Sequence, residues 1–117
     1  MPRFGLPRSS RVRKRGAFVE IQRTGRKTAG AGLLMFVLAQ RKPGPARLGV
    51  TVSRRVGGAV VRNRVRRYVR EVFRQHRDWF ADGRDVVFVA LPKAAELDYH
   101  AVLDDMKRLA QRSRARS

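Results

Sequence analysis

The sequence contains no cysteine, and acidic residues are scarce among its 117 positions. Without cysteine, disulfides and thiol chemistry are excluded, which fits a cytosolic protein. Nine acidic residues stand against 28 lysines and arginines, which gives a formal net charge of +19. The longest apolar run, residues 29–39, is too short to span a bilayer, and no apolar signal-peptide core promptly follows the basic N-terminus. We therefore expect a soluble, cytoplasmic protein with no membrane partner.

The positive charge is concentrated in the N-terminal part of the chain. Residues 1–70 contain 19 lysines and arginines and a single acid, Glu20, whereas residues 71–117 contain nine basic and eight acidic residues. This separation indicates one flank that binds a polyanion and one ordinary flank. Arginine outnumbers lysine by 23 to 5. The planar guanidinium suits phosphate and base contacts, although a genome rich in G and C also favours arginine codons.

Length and composition predict a single domain over residues 1–117, with a flexible basic arm at 1–10 and a frayed basic tail at 113–117. A short helix is expected over 15–24, because Gly25 is a good stop signal.

Two strands should follow the first helix, over 33–39 and 48–53, and pair antiparallel across the turn at 42–45. A long helix over 59–79 then leads into a buried strand over 86–91. The strand–helix–strand order predicts that the last two strands are parallel neighbours.

A closing helix is expected over 99–112. We predict an α/β (α+β) two-layer sandwich, in which a small mixed four-stranded sheet packs against three helices.

The long helix has two chemically different faces. Apolar residues recur at spacings of three and four, as in a helix that packs one face on a core. The stripe comprises Val61, Val65, Tyr68, Val69, Val72 and His76, and the opposite side presents Asn63, Arg66, Arg67, Arg70 and Arg74. Arg62 and Arg64 flank the stripe. Residues 54–70 contain seven arginines and no acid, which is typical of a rigid element that binds nucleic acid.

The sequence shows few side chains grouped as catalysis would require. His76 falls on the apolar stripe, where a core or boundary role is favoured over catalysis, and His100 has no close partner in sequence. Asp104 and Asp105 are adjacent on a helix and therefore diverge. The Gly57-Gly58 turn lacks the spacing of a nucleotide-binding loop. We predict no catalytic residue, no metal site and no small-molecule substrate for the protein alone.

Residues 56–70, Val-Gly-Gly-Ala-Val-Val-Arg-Asn-Arg-Val-Arg-Arg-Tyr-Val-Arg, resemble the Arg-Asn-Arg signature of the bacterial ribonuclease P protein component. The strand Leu48 to Ser53 and the first helix, with Phe18, Ile21 and Gly25, are similar to the same family. Gly58 departs from it, since many members have Asn there. The resemblance implies a small basic protein subunit whose partner, ribonuclease P RNA, is the catalyst. It also implies Mg²⁺ held with the RNA subunit in the holoenzyme, and a left-handed crossover through the long helix.

The family cuts precursor transfer RNA to release the 5′ leader. The resemblance implies that the motif helix faces the catalytic RNA and that a cleft between the first helix and the sheet holds the single-stranded leader. We predict contacts to the catalytic RNA from Arg54, Arg55, Arg62, Asn63, Arg64, Arg66, Arg67 and Arg70. We predict contacts to the leader from Phe18, Phe36, Arg11 and Arg15. Both phenylalanines could instead be core residues.

Two other classes stay open at this level. A structural RNA-binding protein, such as a ribosomal protein or an RNA chaperone, would share the charge and the fold. A DNA-binding protein is less favoured, because no helix-turn-helix pairing surrounds the basic helix.

Overall fold

The computed structural model describes residues 15–39 and 44–115, and the side chains of residues 15–18, 21 and 114–115 are outside that description. The α-helices are α1 (Arg15–Thr24), α2 (Ala59–Gln75) and α3 (Tyr99–Ala115). The strands are β1 (Arg26–Ala29), β2 (Leu33–Ala39), β3 (Arg47–Thr51) and β4 (Arg84–Ala90). Two short 3₁₀ helices, Arg77–Trp79 and Pro92–Glu96, flank β4. Four strands and three α-helices confirm the predicted α+β class.

The four strands form one mixed sheet in the order β1-β2-β4-β3. β4 pairs antiparallel with β2 and parallel with β3, so the predicted parallel neighbours are confirmed. The predicted antiparallel pairing of β2 with β3 is wrong, because β4 lies between them. The reason is the run from Val86 to Ala90, which is apolar on both faces and therefore takes a central, doubly covered position.

The main core lies on the face of the sheet that carries Leu33, Met35, Val86 and Phe88. α2 packs its stripe into this core, and Val65, Val69 and Val72 are fully buried there. α2 and α3 contact each other, α2 contacts β3, and α3 contacts β1 and β2. The opposite face of the sheet carries a smaller apolar cluster around Val87. α1 contacts β2 and β4, the two strands on which this cluster lies.

A buried carboxylate fixes the turn between β1 and β2. Asp105 of α3 is only 1% exposed. Its Oδ1 accepts a hydrogen bond from the Ala31 amide at 2.8 Å, and its Oδ2 accepts from the amides of Gly32 and Leu33, both at 3.1 Å. A Cβ at Gly30 would stand 2.6 Å from Asp105 Oδ1, so the turn admits no side chain there. The carboxylate thereby links the last helix to the first hairpin.

Several predicted boundaries shift. β1 was not predicted, because Arg26–Ala29 is short, half charged and mostly exposed. α2 ends at Gln75 instead of continuing to Trp79, and the chain passes into the 3₁₀ helix Arg77–Trp79. α3 extends past the predicted end at Arg112 to Ala115. The basic arm at 1–10 and the first two residues of the predicted turn at 42–45 lie outside the described residues. The left-handed crossover stays a prediction.

Candidate nucleic-acid interface

The entry to α2 is a bare glycine turn. Gly58 is the N-cap residue, with φ −71° and ψ −179°, and no side chain caps the helix. No atom lies within 4 Å of where a Gly58 side chain would begin, whereas a Cβ at Gly57 would come within 3.0 Å of Val61. The backbone amides of a helix's first turn have no partner within the helix and favour anions. The arginines of this segment therefore lie around a helix N-terminus that, like them, attracts anions.

The predicted outward side of α2 is confirmed as a basic face. Asn63 and Arg67 are exposed, and Arg66 is half-buried and donates through Nη1 to Asn63 Oδ1 at 3.0 Å. Arg54 and Arg55 are exposed in the turn just before the helix. We define the arginine face as the set Arg54, Arg55, Arg62, Asn63, Arg64, Arg66, Arg67 and Arg70.

Arg62 and Arg64 lie at the two edges of the apolar stripe, as the helical spacing predicted. Both are half-buried. Arg64 donates through Nη2 to the carbonyl oxygen of Ala95, in the 3₁₀ helix Pro92–Glu96, at 2.9 Å. Arg62 Nε is buried and has no hydrogen-bond partner among the described residues. Arg64 is thus a packing residue as well as a positive charge.

The arginine face ends at Arg70. One turn later, the Arg74 guanidinium is paired with Glu71, and its Nε donates to Glu71 Oε2 at 3.3 Å. The hydrogen bond to Glu71 raises the pKa of Arg74, against the opposing effect of desolvation. Gln75 Nε2 donates to the same carboxylate at 2.7 Å, and Tyr99 donates to Gln75 Oε1 at 3.2 Å. Glu71 was not among the predicted site residues, although its spacing of three from Arg74 is a helical ion-pair signal.

The second face of the sheet offers a different chemistry. Phe36 is half-buried there and clusters with Leu38, Val89 and the fully buried Val87. A half-buried ring on a sheet face can stack with an unpaired base, which a core phenylalanine cannot. Phe36 therefore lies outside the main core, and its contact with the leader stays a prediction.

An ion pair lies at one end of the same face. Arg47 donates to the buried Asp85 through Nε at 2.8 Å and through Nη2 at 2.7 Å. The hydrogen bond to Asp85 raises the pKa of Arg47 despite partial desolvation. This pair neutralises a buried acid beside the apolar cluster, so that face keeps no uncompensated negative charge there.

The other residues predicted to contact the leader are described only in part. Arg15 and Phe18 lie on α1, which contacts the two strands beneath the Phe36 cluster, but their side chains are outside the description. Arg11 lies outside the described residues. Their roles stay predictions.

The described residues offer little else for chemistry. They contain no group of three or more His, Asp or Glu side chains that could hold a metal ion. His76 stacks on Trp79 with ring centroids 4.1 Å apart, which agrees with the predicted boundary role. Over residues 15–39 and 44–115, no helix is long and apolar enough to cross a membrane.

Comparison with known proteins identifies the family. A sequence model described as Ribonuclease P matches residues 6–114. The ribonuclease P protein component of Desulfovibrio desulfuricans is 44% identical over 115 residues, covering 96% of this chain and 88% of the relative. The ribonuclease P protein of Thermotoga maritima is 28% identical, with a TM-score of 0.78 over 87% of this chain and 96% of that one. The Staphylococcus aureus protein, at 23% identity, shares the fold with a TM-score of 0.82, covering 89% and 94% of the two chains.

The chain belongs to the ribonuclease P protein component family. It is the non-catalytic protein subunit of an RNA-based endoribonuclease that processes transfer RNA, and its partner is ribonuclease P RNA. A purely structural RNA-binding role is not favoured.

Proposed function

We propose that the arginine face binds the catalytic RNA while the Phe36 side of the sheet holds the 5′ leader of precursor transfer RNA. The supporting observation is the placement of the two surfaces. β3 ends at Thr51, in register with Val89, and leads directly into Arg54 and Arg55. The face of the sheet that carries Phe36 and the arginine face therefore meet at one end of the sheet. A single strand of RNA that leaves the catalytic centre of the RNA subunit, beside α2, would pass onto the apolar cluster around Phe36.

Each surface suits its proposed ligand. Fixed guanidinium groups on a rigid helix bind the phosphates of a folded RNA and release its counterions. A half-buried aromatic ring among aliphatic side chains stacks bases without selecting their sequence, which suits a substrate set with many leaders.

We infer that Mg²⁺ in the holoenzyme is held by the RNA subunit, with the protein's charge lowering the magnesium concentration that the folded RNA requires. We further place the protein in the cytoplasm, a proposal that its cysteine-free composition supports.

The test is a reconstituted cleavage assay with ribonuclease P RNA and precursor transfer RNA, run with and without the protein across a magnesium series. The protein should raise cleavage most strongly at low magnesium, and the protein without RNA should not cleave. The protein should also increase the affinity of the RNA subunit for a precursor with a leader more than its affinity for mature transfer RNA. Equal affinity for both RNAs in the presence of the protein would refute the leader contact.

A further inference from the structure

A concavity opens where β2 ends and β4 begins, on the side of the sheet that faces α3. Its volume is about 330 Å³. Among the described residues, its wall is formed by Arg26, Val37, Leu38, Ala39, Arg84 and Ser113. Arg26 on β1 and Arg84 on β4 flank the end of β2, because Arg26 pairs with Val37 and Arg84 pairs with Ala39. Both therefore project from the same face of the sheet, one on each side of β2.

An apolar slot of about 80 Å³ continues from the concavity into the edge of the core. The two spaces share Val37, Arg84 and Ser113. The slot is otherwise lined mainly by Met35, Trp79, Phe80, Val86 and Ala110. Trp79 is half-buried, and His76 covers one face of its ring. An aromatic edge and aliphatic side chains are therefore open to a planar group.

The charged side chains that line this two-part site are arginines. Arg26 and Arg84 are both exposed at the mouth, and no acidic residue lines either space within residues 15–39 and 44–115. Three acids adjoin lining residues in sequence, namely Asp78, Asp82 and Asp85. Asp78 and Asp82 are exposed and outside the lining, and Asp85 projects to the opposite face of the sheet, where Arg47 holds it. Two guanidinium groups beside an aromatic slot fit a phosphate that carries a flat, unstacked base.

The shape favours a passing chain over an enclosed metabolite. The slot is small against the roughly 300–1,000 Å³ of ordinary small-molecule pockets, and the wider part is open to solvent. Leu38 belongs both to the wall of the concavity and to the Phe36 cluster. A single strand that leaves the Phe36 face at this end would meet the concavity next.

We propose that this site binds one nucleotide of single-stranded RNA, with its base beside Trp79 and its phosphate between Arg26 and Arg84. The nucleotide belongs to a part of the leader farther from the cleavage point than the part on Phe36. The assignment to the leader rests on the function proposed above. It extends the leader path around the end of the sheet, away from the face that carries Phe36.

Trp79 gives a direct readout, because it is the only tryptophan in the chain. Titration of the full-length protein with a short unstructured RNA oligonucleotide should change Trp79 fluorescence. Arg26→Ala and Arg84→Ala should each weaken the binding that this signal reports. Each substitution should also reduce the slope of the log binding constant against log salt concentration by about 0.7, the value for one phosphate of a single strand. Lys93→Ala, which removes an exposed charge on the helix Pro92–Glu96, is the matched control and should leave both unchanged.

The holoenzyme assay uses leaders lengthened one nucleotide at a time. With wild-type protein, the affinity of the holoenzyme for the precursor should rise once when the leader reaches Phe36. It should rise a second time when the leader is long enough to pass Phe36, by about fivefold or more for a stacked base. Arg26→Ala and Arg84→Ala should remove this late gain and keep the earlier one. An oligonucleotide that leaves Trp79 fluorescence unchanged, or a late gain that persists in both variants, would overturn the proposal. Absence of every leader-dependent gain with wild-type protein would instead refute the binding of the leader to the Phe36 face.

Discussion

Arg64 donates a hydrogen bond through Nη2 to the backbone carbonyl of Ala95, 2.9 Å away, and so joins α2 to the 3₁₀ helix that follows β4. Arg67, one turn along α2 from Asn63, is exposed and lies over the ring of Tyr68 at 5.6 Å from its centroid. Two arginines of one motif helix therefore have different roles: one packs the fold together, and the other faces outward.

Arg64→Ala should weaken binding to ribonuclease P RNA and also lower the free energy of unfolding by about 1 kcal/mol, because the variant cannot form the half-buried hydrogen bond. Arg67→Ala should weaken RNA binding to a similar degree with a stability change within about 0.5 kcal/mol. Both should reduce the log–log salt slope by about 0.7–0.9. Salt-dependent binding and denaturant unfolding of the two variants check this. Equal stabilities would mean that the hydrogen bond to Ala95 contributes nothing to the fold.

Arg74 should fall outside the RNA footprint, although it shares the outward side of α2. Its guanidinium is already engaged by the buried Glu71. Arg74→Ala should leave the salt slope of RNA binding unchanged, whereas Arg67→Ala lowers it by about 0.7–0.9. A slope that falls equally in the two variants would extend the arginine face by one turn.

Phe36→Ala should weaken binding of leader-bearing precursors to the holoenzyme by about 1–3 kcal/mol, since a stacking surface is removed. Affinity for mature transfer RNA should hardly change. Phe88→Ala is the control, because Phe88 is fully buried in the main core and its truncation should cost about 3–5 kcal/mol of stability. If Phe36→Ala weakens binding of both RNAs equally and lowers the melting temperature, Phe36 is a packing residue.

Asp105→Ala should destabilise the protein by about 3 kcal/mol, because three backbone amides in the β1–β2 turn are left without their acceptor. The neighbouring Asp104 is exposed, and Asp104→Ala should change stability by less than about 0.5 kcal/mol. Denaturant unfolding measures both.

The Gly30 position gives an independent check on the role of Asp105. Gly30→Ala should also destabilise, since its Cβ would clash with the Asp105 carboxylate. That cost should shrink in the Asp105→Ala background, and strictly additive effects would contradict the clash.

The arginine face was predictable because it depends on local periodicity. Angular spacing along α2 alone separates Val65 and Val69 from Asn63 and Arg67, and the burial of each agrees. The partner of Arg64 was not predictable in the same way, whereas the spacing of three between Glu71 and Arg74 does indicate their ion pair. The Ala95 carbonyl reaches Arg64 only through the turn after β4. The burial of Glu71 depends on the folded chain and cannot be predicted from helical spacing.

Strand pairing was the main error in the fold. A turn rich in proline and glycine between two apolar runs indicates a hairpin when only neighbouring segments are compared. The competing fact is non-local: β4 is apolar on both faces and pairs with both strands. The short, charged strand β1 was not predicted because it shows no hydrophobic alternation. Its pairing with β2 depends instead on the turn that Asp105 holds.

The position of β4 affects the order of events during synthesis. Chains leave the ribosome from the N-terminus, and the central strand of this sheet is the last strand to be made. β2 and β3 have no common partner until residue 90 has emerged, and the β1–β2 turn lacks its carboxylate until α3 follows. Nearly all of the excess positive charge is therefore translated before the sheet that organises it can close. Until β4 emerges, the nascent protein is therefore a polycation without its completed sheet, among the phosphates of the ribosome.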